Sequence, residues 1–227
     1  MRTKTLLLAC AALALSLATS QAQVYSANIV GYVNYISRTN SPAYEMIDNP
    51  IDNGVNSLIS LFPTPPGSSQ VQIWQGASAV PPFLIATFSL GHWKTNGVTA
   101  DGLVIPPGVG FFIKVGGTSP YTNTFVGTVD PNTGLFGTNV VNTGFQALSS
   151  MLPISDSVTN TATINLIVPG TTQVQKWNIA NQAYDVYTYS LGNWKLGGVN
   201  TNLVIGLPEG FFVKNNGAAF NWVQTGP

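Results

Sequence analysis

Cysteine, histidine and charge are scarce in this chain, and each shortage removes a class of chemistry. There is one cysteine, Cys10, and one histidine, His92, in 227 residues. Cys10 falls in an apolar run from Leu6 to Leu17, after the basic Arg2 and Lys4 and before Ser20-Gln21-Ala22. A basic start, about a dozen apolar residues and small residues where a signal peptidase reads define a secretory signal peptide, residues 1–22. The run is too short to span a bilayer, which takes about 20 apolar residues. No later stretch approaches that length, so no integral membrane segment is expected in the mature chain. Leu7-Leu8-Ala9-Cys10 superficially resembles a lipoprotein signal, but the apolar run continues well past Cys10. The mature chain then has no cysteine, which excludes disulfides and thiolate chemistry. Its roughly 205 residues must be stabilised by burial, and they suffice for a substantial core.

Charged residues make up 7% of the chain, against about 25% in a typical soluble protein. Without the leader, six basic residues face eight acidic ones, a net charge near −2. No basic patch can follow a phosphate backbone, which tells against nucleic acid as a partner. No basic amphipathic helix suggests a membrane surface. Solubility must come from Asn, Thr, Ser, Gln and exposed backbone, and little charge is left to discourage strand edges from pairing between molecules.

What the sequence does contain is a duplication. Gln70-Val71-Gln72-Ile73-Trp74 returns as Gln173-Val174-Gln175-Lys176-Trp177, and Ser89-Leu90-Gly91-His92-Trp93-Lys94 returns as Ser190-Leu191-Gly192-Asn193-Trp194-Lys195. Gly110-Phe111-Phe112-Ile113-Lys114 returns as Gly210-Phe211-Phe212-Val213-Lys214. Both copies keep aromatic, glycine and turn residues; neither an acid, a histidine nor a cysteine is shared. Gly and Pro interrupt the chain every few residues, and the pieces between are short and rich in Val, Ile, Thr and aromatics. That pattern predicts an all-β fold of two related β-sandwich-like halves, 23–130 and 131–227.

Val24 to Ile36 reads as an N-terminal strand, with its counterpart expected around Thr124–Val129 and a turn at Asp130-Pro131-Asn132-Thr133-Gly134. Alternation in Ala86–Leu90 and Tyr187–Leu191 predicts strands with Phe88, Leu90, Tyr189 and Leu191 facing a core. Gly110 and Gly210 are expected to relieve either a positive φ or a close strand approach. One or two helical turns are expected within Asn53–Leu61.

Ile29-Val30-Gly31-Tyr32-Val33-Asn34 after a signal peptide, then Trp, Tyr-x-Tyr, Gly-x-Trp and Pro-Glu-Gly-Phe-Phe-Val elements, resembles exported β-repeat proteins of unknown function abundant in Verrucomicrobia. Similar modules occur in surface proteins of Bacteroidetes. Gln173 to Lys214 matches the pattern better than the first half, which departs from it at Pro81-Pro82 and Val109. The resemblance implies an exported β-protein and supplies no catalytic residues.

Candidate sites are few. His92 is replaced by Asn193 in the second copy, so a turn role is expected rather than catalysis. One histidine and no mature cysteine cannot assemble the common zinc ligand sets, and no Gly-x-Ser-x-Gly elbow is present; no metal or cofactor is expected. Asp48-Asn49-Pro50-Ile51-Asp52-Asn53 has oxygen ligands but lacks the Gly and distal Glu of an EF-hand loop, so it reads as an Asx turn. A carboxylate pair for glycoside hydrolysis would have to come from Glu45, Asp48, Asp52, Asp101, Asp130, Asp156, Asp185 and Glu209. Trp93, Lys94, Trp194 and Lys195, at the two Gly-X-Trp-Lys turns, are the candidate ligand-binding residues if the indoles stack on sugars; otherwise they fill the sandwich ends.

The leading expectation is an exported, non-enzymatic structural or interaction protein of the cell envelope, periplasm or extracellular space. Its partners would be copies of itself or other surface proteins. A carbohydrate-binding module, with glycans as partners, is the alternative, and a glycoside-acting enzyme the third.

Overall fold

A computed structural model describes residues 29–37, 43–118, 120–129 and 136–226. The expected signal peptide, the start of the expected N-terminal strand and the turn expected at 130–134 lie outside these residues. The described chain is all-β in class, 49% strand and 2% helix, and the duplication is visible in the pairing order.

The first copy comprises β1 (Ile29–Ile36), β2 (Glu45–Asp48), α1 (Leu58–Leu61), β3 (Gln70–Trp74), β4 (Phe83–Ser89), β5 (His92–Thr95), β6 (Val98–Thr99), β7 (Gly110–Lys114) and β8 (Thr122–Val129). The second comprises β9 (Phe136–Val141), β10 (Gly144–Ser149), β11 (Asp156–Ser157), β12 (Gln173–Asn178), β13 (Ala183–Ser190), β14 (Asn193–Leu196), β15 (Val199–Asn200), β16 (Val204–Ile205), β17 (Gly210–Asn215) and β18 (Phe220–Thr225). Each copy builds a six-stranded antiparallel sheet, in the orders β2-β7-β3-β4-β5-β6 and β10-β17-β12-β13-β14-β15. Each adds a two-stranded ribbon, β1-β8 or β9-β18. Thr122–Val129 is therefore not the counterpart of the N-terminal strand but its partner, from Ile29↔Val129 to Ile36↔Thr122. The counterpart of β1 is β9. The helix expected before Pro63 is one turn, capped by the Ser57 hydroxyl.

Side-chain alternation explains the layers. In β7 and β17, Phe111 and Ile113, like Phe211 and Val213, point toward their own ribbon and fill two equivalent cores. Tyr35 and Phe125 close the first core, Val141 and Trp222 the second. Phe112 and Phe212 point the other way, because consecutive strand residues face opposite sides. They meet Met46, Trp74, Phe83 and Trp177 in a third cluster between the two large sheets.

This seam has approximate twofold symmetry. Trp74 packs edge-on against Phe212 at 5.3 Å between centroids, and Trp177 against Phe112 at 5.2 Å. The Trp177 indole donates to the Tyr44 carbonyl at 2.7 Å, and the Trp74 indole to the equivalent Phe145 carbonyl at 3.4 Å. Lys114 lies over the Tyr44 ring and Lys214 over the Phe145 ring. At the centre the backbones touch. A Cβ on Gly110 would stand 2.5 Å from the Leu148 carbonyl oxygen, and one on Gly210 would stand 2.5 Å from the Ile47 carbonyl oxygen. A Cβ on Gly210 would also come within 3.0 Å of the Gly110 Cα. Of the two expected roles for these glycines, close approach is the one observed; neither has a positive φ.

Gly110→Ala or Gly210→Ala should therefore force the sheets apart and cost about 1–3 kcal/mol, as overpacking does. Gly170→Ala, where a Cβ meets nothing within 4 Å, is the control. Urea unfolding of the three variants should show a loss in the first two and little change in the third.

Candidate functional site

The duplicated Gly-X-Trp-Lys segments do not present tryptophan to solvent. Trp93 is 0% and Trp194 2% exposed. Both lie on the inner face of the first strand after a hairpin, and Phe88 and Tyr189 from the preceding strand pack on them at 5.4 and 5.3 Å. The Trp93 indole N–H donates to the Phe62 carbonyl; that of Trp194 is buried without an acceptor among the described residues. A hollow of about 340 Å³ borders Trp194, but the indole has no free face for a sugar ring. Lys94 and Lys195 project from the opposite face, across from Thr87 and Thr188. The four residues thus form no stacking platform for a sugar ring. Their burial follows from size: a large aromatic contributes most of a small core.

The exposed part of the duplicated block is its leucine. Leu90 and Leu191 were expected in the core; they are 87% and 89% exposed. The strands end one residue earlier, at Ser89 and Ser190. Each Leu-Gly pair forms a two-residue hairpin with both residues at positive φ, 55° and 81° in the first copy, 53° and 79° in the second. That is the signature of a type I′ turn, where Asn-Gly is favoured because a branched side chain is strained at left-handed angles. The adjacent hairpin uses the favoured pair, Asn96-Gly97, at 50° and 80°. Val98 and Val199, on the edge strands beyond, are also exposed.

His92 is not a turn residue but the first residue of β5. Its Nδ1 lies 2.8 Å from an Asp101 carboxylate oxygen, and the other oxygen accepts from the Trp93 amide at 2.7 Å. The His92 hydrogen bond holds the Asp101 carboxyl below its usual pKa. The pair secures the hairpin base.

The remaining carboxylates divide by environment. Asp52 accepts from the Gly54 amide and the Asn56 side chain, both at 2.7 Å, as an Asx turn requires. Asp156 accepts from the Ser157 amide and the Asn160 and Thr163 side chains. Asp130 lies outside the described residues. Asp48, fully buried in β2 opposite Gly110, has neither carboxyl oxygen in a well-formed hydrogen bond. Burial pushes its pKa well above the ordinary carboxyl range; the neighbouring Ser149 hydroxyl acts in the other direction, and the Glu209 carboxylate adds to the rise. Ser149 occupies the equivalent place in the second copy.

Glu45, Asp185 and Glu209 meet at one cleft of about 660 Å³ beside the seam, between β1–β2 of the first copy and β12–β13 of the second. Lys176 and Tyr187 line it too. Lys176 Nζ is 3.0 Å from Glu209 and donates to the Val204 carbonyl at 2.7 Å. Asn178 donates to Asp185 at 3.1 Å. The charged residues of this cleft are ones the two copies do not share, so the duplication does not mark it. No family model, curated protein or solved structure matches the chain.

Asp48→Ser, copying the second half, should raise stability at neutral pH by about 1–3 kcal/mol by removing an unsatisfied buried carboxyl. In the wild type the neutral acid is the form the fold accommodates. Its contribution is intact below the unfolded carboxyl pKa of about 3.9 and is lost as pH rises through the raised folded value. Unfolding free energies from pH 4 to 8 should accordingly slope downward more steeply for the wild type than for the variant.

Proposed function

We propose that this is an exported, non-enzymatic interaction protein of the cell envelope or extracellular space. It belongs by this reading with the secreted β-repeat proteins its sequence resembles, and it associates with further copies of itself through the two Leu-Gly hairpin tips. The observation that carries the proposal is the pair Leu90 and Leu191. Both copies place a large apolar side chain in full solvent, at a backbone conformation that disfavours it. Folding does not require this, since Asn-Gly would make the same turn at lower cost. Strain and exposure retained together point to contact with a partner.

β4 and β13 each lead from the aromatic seam to a tip, so each leucine stands roughly 20 Å from the seam at the rise per residue of a strand. One chain therefore carries two equivalent contacts and can link two neighbours. A net charge near −2 opposes such linkage only weakly.

Leu90→Asn with Leu191→Asn should leave a monomer while raising stability by about 1 kcal/mol or more, because two strained residues become favourable ones. Light scattering over a concentration series, paired with denaturant unfolding, checks both halves of the statement. Either single variant should stop at dimers. A wild type whose mass stays monomeric at every concentration, or a double variant that assembles like the wild type, would sink the proposal.

A further inference from the structure

The cleft beside the seam is the place where the two copies diverge in concert. Lys176, Asp185, Tyr187 and Glu209 occupy the positions that Ile73, Leu84, Ala86 and Val109 hold in the first copy, by strand register and repeat alignment. Ile73 and Val109 pack against the first core. On the mirrored side, the Asn139 side chain donates to the Gly108 carbonyl at 3.0 Å and Met151 lies against Gly108. Three of these positions have thus become charged, and the fourth a tyrosine that still packs against the second core, around an open space on one side only. Core packing does not demand the change, because the first copy folds without it.

The chemistry of the lining narrows the occupant. Among the described residues, the carboxylates of Asp185 and Glu209 face one ammonium, Lys176, there, which disfavours phosphate or any polyanion. A simple cation would use the carboxylates but meet Lys176 unfavourably. A neutral ligand rich in hydroxyls suits the whole set, since each hydroxyl both donates and accepts. Donors come from Lys176 and the Tyr187 phenol, acceptors from Asp185, and both from the Asn34 and Asn178 amides. Tyr187 sits close enough to Asp185 and Glu209 for both to add to the rise in its pKa that burial begins. We infer that this cleft is a binding site for a neutral saccharide, placed by the junction of the two copies and carried by Asp185, Tyr187 and Lys176. It is separate from the buried Trp93 and Trp194 and from the hairpin tips.

The test is calorimetric titration of the full mature chain with neutral tetrasaccharides of glucose, xylose, mannose and N-acetylglucosamine, at up to millimolar ligand. At least one should bind. The variant K176I/D185L/Y187A/E209V copies the first half into the second; it should lose binding, while its unfolding temperature falls as far as the lost Tyr187 packing on the second core and the lost Glu209 bond to the Gly206 amide dictate. Should that variant fail to fold, Asp185→Asn and Tyr187→Phe serve separately, each weakening binding about tenfold or more by removing one charge-assisted or phenolic hydrogen bond. Absence of binding by all four sugars, or binding that survives these substitutions, would overturn the inference. So would tighter binding of spermidine or inorganic phosphate at the same residues. The L90N/L191N chain should bind the sugar as the wild type does, so failure here and failure of the assembly proposal are distinguishable.

Discussion

The architecture depends on one backbone contact. Gly110 and Gly210 cross at a distance no side chain would permit, and everything in the seam is arranged around that crossing. Because the two sheets touch there, Phe112 and Phe212 reach past each other to the opposite tryptophan, and each indole finds a carbonyl in the other copy. Edge-to-face pairs of this kind contribute about 0.5–1.5 kcal/mol each beyond their burial. A wider spacing would loosen all of them together and expose Asp48, which the crossing now encloses.

The two copies use one strand to build two interfaces. Phe-Phe doublets in β7 and β17 give each central strand two apolar faces, so each sheet has a core on one side and its sister on the other. The layering is ribbon, sheet, seam, sheet, ribbon. Among the described residues no helix contributes beyond a single turn, and the hydrophobic effect is spread over three modest clusters rather than one large core. That suits a chain whose one cysteine, Cys10, has no second cysteine with which to form a disulfide within the chain.

Much of this was legible in the amino-acid sequence. Alternation and Gly/Pro punctuation marked the strands, and the three repeated blocks marked the two equivalent sheets. The Phe-Phe doublets signal a strand buried on both faces, since a period of two sends neighbours to opposite sides. The misreadings have specific causes. Leu90 and Leu191 continue the alternation by one residue, but the turn begins there, and the hairpin's left-handed geometry outweighs the pattern. Thr124–Val129 alternates like the N-terminal strand, but it lies beside that strand as its hydrogen-bonded partner, and such pairing leaves no mark in chain order. The cleft left no repeat signal, since it arises from differences between the copies and from three segments distant in the sequence.

The seam joins like to like: its central contacts, from the Gly110–Gly210 crossing to the two indole–carbonyl bonds, are made by each copy on the other. Such an arrangement is what two separate chains would adopt as a symmetric pair. Two identical chains, however, must carry every substitution twice. Joining them in one polypeptide removes that constraint, so Asp48 can face Ser149, and an ion pair can replace Ile73 and Val109 on one side while the other keeps its packing. The asymmetry around the seam is a freedom that only the covalent fusion provides.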